Sequence, residues 1–279
     1  MQEEIVVKAP TTEALTPAQI TQKAEDLGVT KTEMSFGRSF ALSIMAGAFI
    51  AMGAMFFSLV VGDPALPFAI QRVLGGFLFC LGLILVVVAG AELFTGNTMI
   101  VMTAASKRIK WSAVWKNWIV VFFGNFLGAL VIVGLVFLSD MSAMNGGQVG
   151  QTMVSVAAGK MHADWLVLFA KGIMCNFLVC LGVWMAYASK TVADKILAVV
   201  FPITAFVACG FEHCVANMFV LPMGALLASC GIAPAGIDPA SVNMLGALYN
   251  WSATVPGNIV GGALMVGMMY WFIYRKKKN

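Results

Sequence analysis

The sequence predicts an all-α membrane protein of six transmembrane helices, arranged as an inverted 3+3 repeat with the second and fifth helices broken. Three observations carry this. The 279 residues are 60% hydrophobic and 11% charged, with a mean hydropathy of +0.90, more apolar surface than a soluble domain of this size can bury. Six apolar stretches, roughly 37–61, 68–105, 112–138, 165–188, 195–230 and 246–274, each reach the ~20 residues a helix needs to cross the hydrocarbon core. Residue spacings in the first three stretches also recur in the last three. The runs are continuous and rich in Gly, Ala, Leu, Met and Phe, unlike the alternating strands of a barrel, so helices are expected.

Residues 1–36 read as a cytoplasmic tail. Its segment LTPAQITQKAEDLGV (15–29) predicts a short amphipathic helix with Thr16 as N-cap, Pro17 in the first position and Gly28 as the stop. Ile20, Ala24 and Leu27 share one face of it, which suits either an interfacial anchor or a lid over a pore. No basic region followed by a short apolar core marks a cleavable signal peptide, so the first span directs insertion. Residues 37–274 form the transmembrane domain, with repeats over about 37–138 and 165–274, and 275–279 are a basic cytoplasmic tail.

Orientation follows from the loop charges. Lys31, Arg38, Lys107, Arg108, Lys110, Lys116, Lys190, Lys195 and the basic tail fall on one side, which predicts cytoplasmic termini in a cell (inner) membrane. The loop at 140–164 on the other side carries Lys160 as its only basic residue. The net charge of +4 comes mainly from these anchors and implies no nucleic-acid partner. All six cysteines lie within or at the ends of spans without metal-ligand spacing, and read as packing residues; no metal and no cofactor is expected.

The repeat appears span by span. Ile44-Met45 with Gly47 and Gly53 matches Ile173-Met174 with Asn176 and Gly182. Gly90, Glu92 and Asn97 match Gly210, Glu212 and Asn217, and Asn117-Trp118 with Gly124, Asn125 and Gly128 matches Asn250-Trp251 with Gly257, Asn258 and Gly261. Each half holds three spans, so the second half enters the membrane inverted. Such architectures put a pathway at the interface of the halves, where broken helices meet near the midplane. The breaks are expected at 93–97 and 208–213. The small residues at helical spacing suit close helix packing within the chain.

Ionisable groups inside the spans are functional-site candidates, and only Glu92, Lys171, Glu212 and His213 qualify, with Arg72 near an edge. Glu92 and Glu212 occupy equivalent positions, where each carboxylate can tie down unpaired backbone at its break. Lys171 can snorkel outward or pair with a glutamate. His213 has no histidine counterpart, since Leu93 follows Glu92, and a histidine at a break between the halves sits where a substrate passes. Thr95, in the opposite break, either holds its own backbone or faces the pathway. Lys160 is either solvated or a vestibule lysine that attracts an anion.

The motifs AELFTGNTMIV (91–101), KNWIVVFFGNFLGA (116–129), CNFLVCLGVWMA (175–186) and GFEHCVANMFVLPMG (210–224) together resemble the formate/nitrite transporter family, its formate channel branch above all. The resemblance implies an aquaporin-like protomer in a homopentamer, each protomer conducting a small monovalent anion with protons as partners. It makes His213 the central pore histidine, Thr95 and Asn176 its polar neighbours, Lys160 the vestibule lysine and Glu212 part of the pathway. Phe79, Leu83 and Phe206 match one constriction and Leu93, Phe94 and Val179 the other. Two apolar narrowings around a polar centre exclude hydrated ions. Because a bare anion crosses a dry constriction at high cost, the implied route protonates formate in the vestibule or at the His213 environment. Nitrite, hydrosulfide and lactate are alternative substrates. The outer segment AAGKMHADW (157–165) carries one histidine after its lysine, where some formate channels carry two. An intramembrane enzyme using Glu212 and His213 is a remote alternative, as is a purely structural scaffold; no HExxH, GxSxG or paired Asp supports catalysis, so the chain reads as no enzyme.

Overall fold

A computed structural model describes residues 13–275, and these are helical with no strand. Helix α1 (Pro17–Glu33) begins where predicted, with the Thr16 N–H donating to Gln19 Oε1 at 2.8 Å. It does not stop at Gly28. That glycine is buried mid-helix, and a Cβ on it would collide with the Thr103 side chain, so it is a point of close approach and not a terminator. The basic residues at 276–278 lie outside the described residues.

The remaining helices are α2 (Phe36–Val61), α3 (Phe68–Gly90), α4 (94–105), α5 (Trp111–Leu138), α6 (Gln148–Met161), α7 (Trp165–Ala188), α8 (Val192–Ala208), α9 (Cys214–Ser229) and α10 (Met244–Tyr274). Helices α2, α3, α5, α7 and α10 are long and apolar enough to cross a membrane, and α9 is a shorter apolar helix. The segment expected as an outer loop at 140–164 holds α6, because QVGQTMVSVAAGKM keeps an apolar face (Val149, Met153, Val154, Ala157) that packs on α9.

The long helices form an arc in the order α5, α2, α3, α8, α7, α10, and α4 and α9 fill its interior. Helix α9 packs on α5 and α4 on α10, so each short helix seals against an end of the arc. Glycines set the two tightest crossings. A Cβ on Gly128 would strike the Ile44 carbonyl oxygen, and one on Gly261 the Ile173 carbonyl oxygen, so α5 lies on α2 and α10 on α7 at backbone contact. The small-residue spacing is thus used within one chain. The cysteines divide: Cys80, Cys175, Cys180 and Cys214 are buried as expected, whereas Cys209 and Cys230 are exposed at helix ends.

Two interruptions give the interior its character. Helix α3 ends at Gly90 (φ 88°), Ala91 is extended, and α4 restarts after Leu93. Helix α8 ends at Ala208, Gly210 turns the chain (φ 72°), and α9 restarts after His213. The side chains that hold these interruptions are not the glutamates. Asn125 of α5 accepts from the Phe94 N–H (2.9 Å) and donates to the carbonyls of Ser43 (2.7 Å) and Glu92 (2.9 Å). Asn258 of α10 accepts from the Cys214 N–H (2.9 Å) and donates to the carbonyls of Gly172 and Glu212 (both 2.8 Å). Each amide satisfies three backbone groups that no water in a bilayer core could reach.

Two outcomes follow. Asn125→Ala strands the buried Phe94 N–H and Glu92 carbonyl at about 1–3 kcal/mol each and removes a further bond to the Ser43 carbonyl within α2, so thermal unfolding in detergent is expected to show a Tm loss well beyond that of an exposed control such as Ser229→Ala. Gly128→Ala is expected to destabilise by about 1–3 kcal/mol through overpacking. Gly134→Ala on the same helix meets nothing within 4 Å and should hold or raise the Tm; equal effects of the two would refute the backbone-contact reading.

Candidate functional site

A cavity of about 300 Å³ opens at the α6 end of the bundle and reaches the second interruption. Phe57, Phe79 and Phe206 give it apolar walls, and Arg72, Lys160, Lys171 and Glu212 line it, three cations against one carboxylate, a net +2. A small concave site with excess positive charge concentrates anions. Arg72 is also a structural cap: its guanidinium donates to the Val207 (2.8 Å) and Ala208 (2.9 Å) carbonyls at the C-terminus of α8. Lys171 lines the cavity without a carboxylate partner among the described residues; its carbonyl accepts from the Glu212 N–H.

Lys160 stands in the last turn of α6, neither free in a loop nor merely solvated, and its ammonium contacts Glu212 Oε1 at 2.9 Å. The other Glu212 oxygen accepts from Asn217 Nδ2 (2.7 Å), and Asn217 Nδ2 also reaches Asn250 Oδ1 (2.8 Å). Glu212 is therefore committed to lysine and asparagine side chains and not, as expected, to backbone. Asn217 Oδ1 is buried beside the cavity with no partner among the described residues, an open acceptor for an O–H or N–H group.

His213 is the N-cap of α9. Its Nδ1 accepts from the Ala216 N–H at 3.0 Å, and its Nε2 lies 3.0 Å from Thr95 Oγ1 across the two interruptions. Because Nδ1 is an acceptor, a neutral ring carries its proton on Nε2. An imidazolium would turn an Nδ1–H against the Ala216 N–H and give up the cap. Phe206 lies flat on the imidazole (5.8 Å, 22°) and meets Phe79 edge-on at 5.6 Å, so aromatic rings and histidine together form the cavity floor. Glu212 and His213 share no hydrogen bond, which removes the acid–base pair that an enzyme reading needs.

The other predicted residues are placed as follows. Leu83 is buried one turn from Phe79 and does not line the cavity. Asn176 reaches the site through backbone, donating to the carbonyls of Thr95 (3.2 Å) and Asn258 (2.7 Å). Leu93, Phe94 and Val179 are buried around the first interruption, with the Phe94 ring edge-on to Phe122 (5.2 Å) and Trp118 (6.2 Å).

The α1 end holds a second cluster that sequence reasoning missed. Lys31 of α1 contacts Glu92 Oε1 at 3.0 Å and donates to Asn97 Oδ1 at 2.7 Å, while Asn97 Nδ2 donates to Glu92 Oε2 (2.7 Å) and Asn117 Oδ1 (2.9 Å). This resembles the Lys160, Glu212, Asn217, Asn250 set, with both lysines lying outside the repeats expected from the sequence. Burial is the strongest single influence on the Lys31 ammonium and lowers its pKa, but the charge and hydrogen bond of Glu92 together with nearby Tyr187 hold it above the usual lysine value. Further bonds dock α1 here: Lys23 Nζ donates to the Tyr187 carbonyl (2.7 Å), and Thr103 Oγ1 to the Glu25 carbonyl (3.2 Å). The one signal in the sequence was a lysine six residues before the first apolar run, just past the predicted amphipathic segment.

Comparison with known proteins agrees with this geometry. The chain is 39% identical over 275 residues to the formate channel FocA of Escherichia coli (strain K12), covering 95% of this chain and 96% of that one. Among solved structures it is similar to a pentameric formate channel with formate bound, at 37% identity and a TM-score of 0.77, covering 86% of this chain and 98% of that chain. An FNT family ion channel matches at 27% identity and a TM-score of 0.80, covering 91% and 98%. These relatives are channels and not enzymes. Residues 18–272 match the family described as formate/nitrite transporter, and the chain belongs to that family.

Proposed function

We propose that this protein is a homopentameric membrane channel for small monovalent anions, with formate as the leading substrate. The observation that carries this is the +2 cavity ending on an uncharged imidazole between two interrupted helices. In this reading the chain crosses the bilayer six times as an aquaporin-like inverted 3+3 repeat, α3 with α4 and α8 with α9 being the broken crossings. Matched clusters at the two interruptions support the inversion, since one faces the α1 end and the other the α6 end. The α1 end is the cytoplasmic one, and the cavity is the outer vestibule.

Formate enters as an anion drawn by Arg72, Lys171 and the Lys160 ammonium. Passage between Phe79 and Phe206 favours the neutral acid, because a carboxylate loses its hydration there. Protonation in the vestibule, where water and the Lys160–Glu212 pair can relay a proton, precedes contact with His213. The imidazole then donates a hydrogen bond from Nε2, and Thr95 Oγ1, 3.0 Å away, receives the substrate on the far side. Leu93, Phe94 and Val179 form the second narrowing. The cap bond from Ala216 favours a hydrogen-bonding histidine over a proton-donating one.

Flux through purified protein in liposomes tests the reading, comparing formate, nitrite, hydrosulfide and lactate in one assay. Formate is expected to lead; a larger flux of any other would reassign the substrate. His213→Phe removes cap and donor together and is expected to cut formate flux by about 10- to 100-fold. His213→Asn can keep both, its oxygen capping Ala216 and its amide donating, so it should retain formate flux within a few-fold; loss as deep as in the phenylalanine variant would make proton donation by His213 necessary. Lys160→Gln should raise the half-saturating outer formate concentration about tenfold while changing the maximal rate less.

A further inference from the structure

A cleft of about 910 Å³ lies at the α1 end, well away from the interruptions, between the start of α1, the turn after α4 and the last turn of α10. Ser106 forms its floor: Trp271 Nε1 donates to Ser106 Oγ (2.7 Å), which donates to Glu25 Oε1 (2.7 Å). Polar demand at the floor is therefore met from within. The rim is different. Arg108 contacts Asp26 at 2.7 Å and Glu25 at 3.7 Å, but Lys107 and Arg275 have no acidic partner among the described residues. With Arg108 offset by the acids, two uncompensated cations face one cleft. Lys107 does so from a left-handed backbone (φ 60°), a conformation that side chains other than glycine rarely adopt.

The surroundings point to the class of ligand. The Arg275 guanidinium sits 4.7 Å over the Trp271 ring and 5.7 Å from Phe272, at the end of the membrane-crossing helix α10. Phe272 and Ile273 are exposed beside it, and Trp271 and Tyr274 line the cleft. Aromatic rings in this position mark the depth of lipid headgroups. The volume exceeds what a formate-sized anion fills, and paired cations above an apolar flank match a phosphate with acyl chains. We propose that this cleft binds the headgroup of an anionic phospholipid, with Lys107 and Arg275 on the phosphate and Phe272 and Ile273 along the chains. Through Ser106 and Glu25 the lipid then bears on α1, the helix that carries Lys31.

Native mass spectrometry of the detergent-solubilised oligomer tests this, with dioleoyl phosphatidylglycerol and dioleoyl phosphatidylcholine as probes. Retained phosphatidylglycerol should exceed phosphatidylcholine, and Lys107→Gln/Arg275→Gln should weaken it about 30-fold, the loss expected for two basic groups at a membrane surface. That variant should keep its formate flux in liposomes, which establishes that it folds. Equal retention of the two lipids, or unchanged phosphatidylglycerol retention in the variant, overturns the proposal. Displacement by millimolar inorganic phosphate also overturns it, since the site would then serve free phosphate.

Discussion

An interrupted helix inside a bilayer leaves backbone N–H and C=O groups that neither water nor lipid can satisfy. The structure depends on how this is met, and two asparagines meet it. Asn125 and Asn258 each present an amide whose oxygen and nitrogen bond three backbone groups: the first N–H of the restarted helix, a carbonyl in the interruption, and a carbonyl of the long helix alongside. No other side chain of that size both accepts and donates in one plane. The amides reach the interruptions only because Gly124, Gly128, Gly257 and Gly261 bring α5 and α10 to backbone contact with α2 and α7. Close packing and polar satisfaction are thus one device, used twice.

With the backbone held by asparagine, the glutamates beside the interruptions are released for charge. Each sits with a lysine and two asparagines, yet the two sets differ in what they leave open. At the α1 end Lys31 contacts both Glu92 and Asn97 Oδ1, so every acceptor is taken. At the α6 end Lys160 contacts Glu212 alone, and Asn217 Oδ1 stays open at the cavity wall. The first cluster joins α1 to the bundle. The second has unused capacity, an open acceptor of the kind a saturated network cannot offer an entering molecule.

Much of this was legible in the sequence. The interruptions, the duplicated glutamates, the unmatched histidine and the glycine spacing are local patterns, and hydropathy together with position along the chain was enough to find them. Sequence failed where the decisive partner is remote. Nothing in AELFTGN says that Glu92 meets a lysine more than sixty residues earlier, or that Asn125 and not Glu92 holds the Phe94 N–H. Gly28 was misread because a glycine after a helical run signals a stop just as well as a crossing, and only Thr103 distinguishes them. Helix α6 was missed because a segment with moderate hydropathy looks like loop until α9 is there to cover its apolar face.

The histidine shows how one of two similarly built interruptions acquires a directed site. Leu93 and His213 occupy the same position before the restarted helix, and both α4 and α9 donate their first N–H to the side-chain oxygen of a distant asparagine. Only at His213 does the cap residue's own side chain add a bond, Nδ1 accepting from Ala216. That bond fixes the ring plane, fixes the tautomer and turns Nε2 toward Thr95 on the opposite helix, with Phe206 stacked behind it. A leucine there would leave Thr95 Oγ1 facing an apolar side chain across the gap between the two helix starts. One polar donor, held rigid by the helix it caps, is therefore the step that turns two equivalent interruptions into a centre with a defined hydrogen-bond direction.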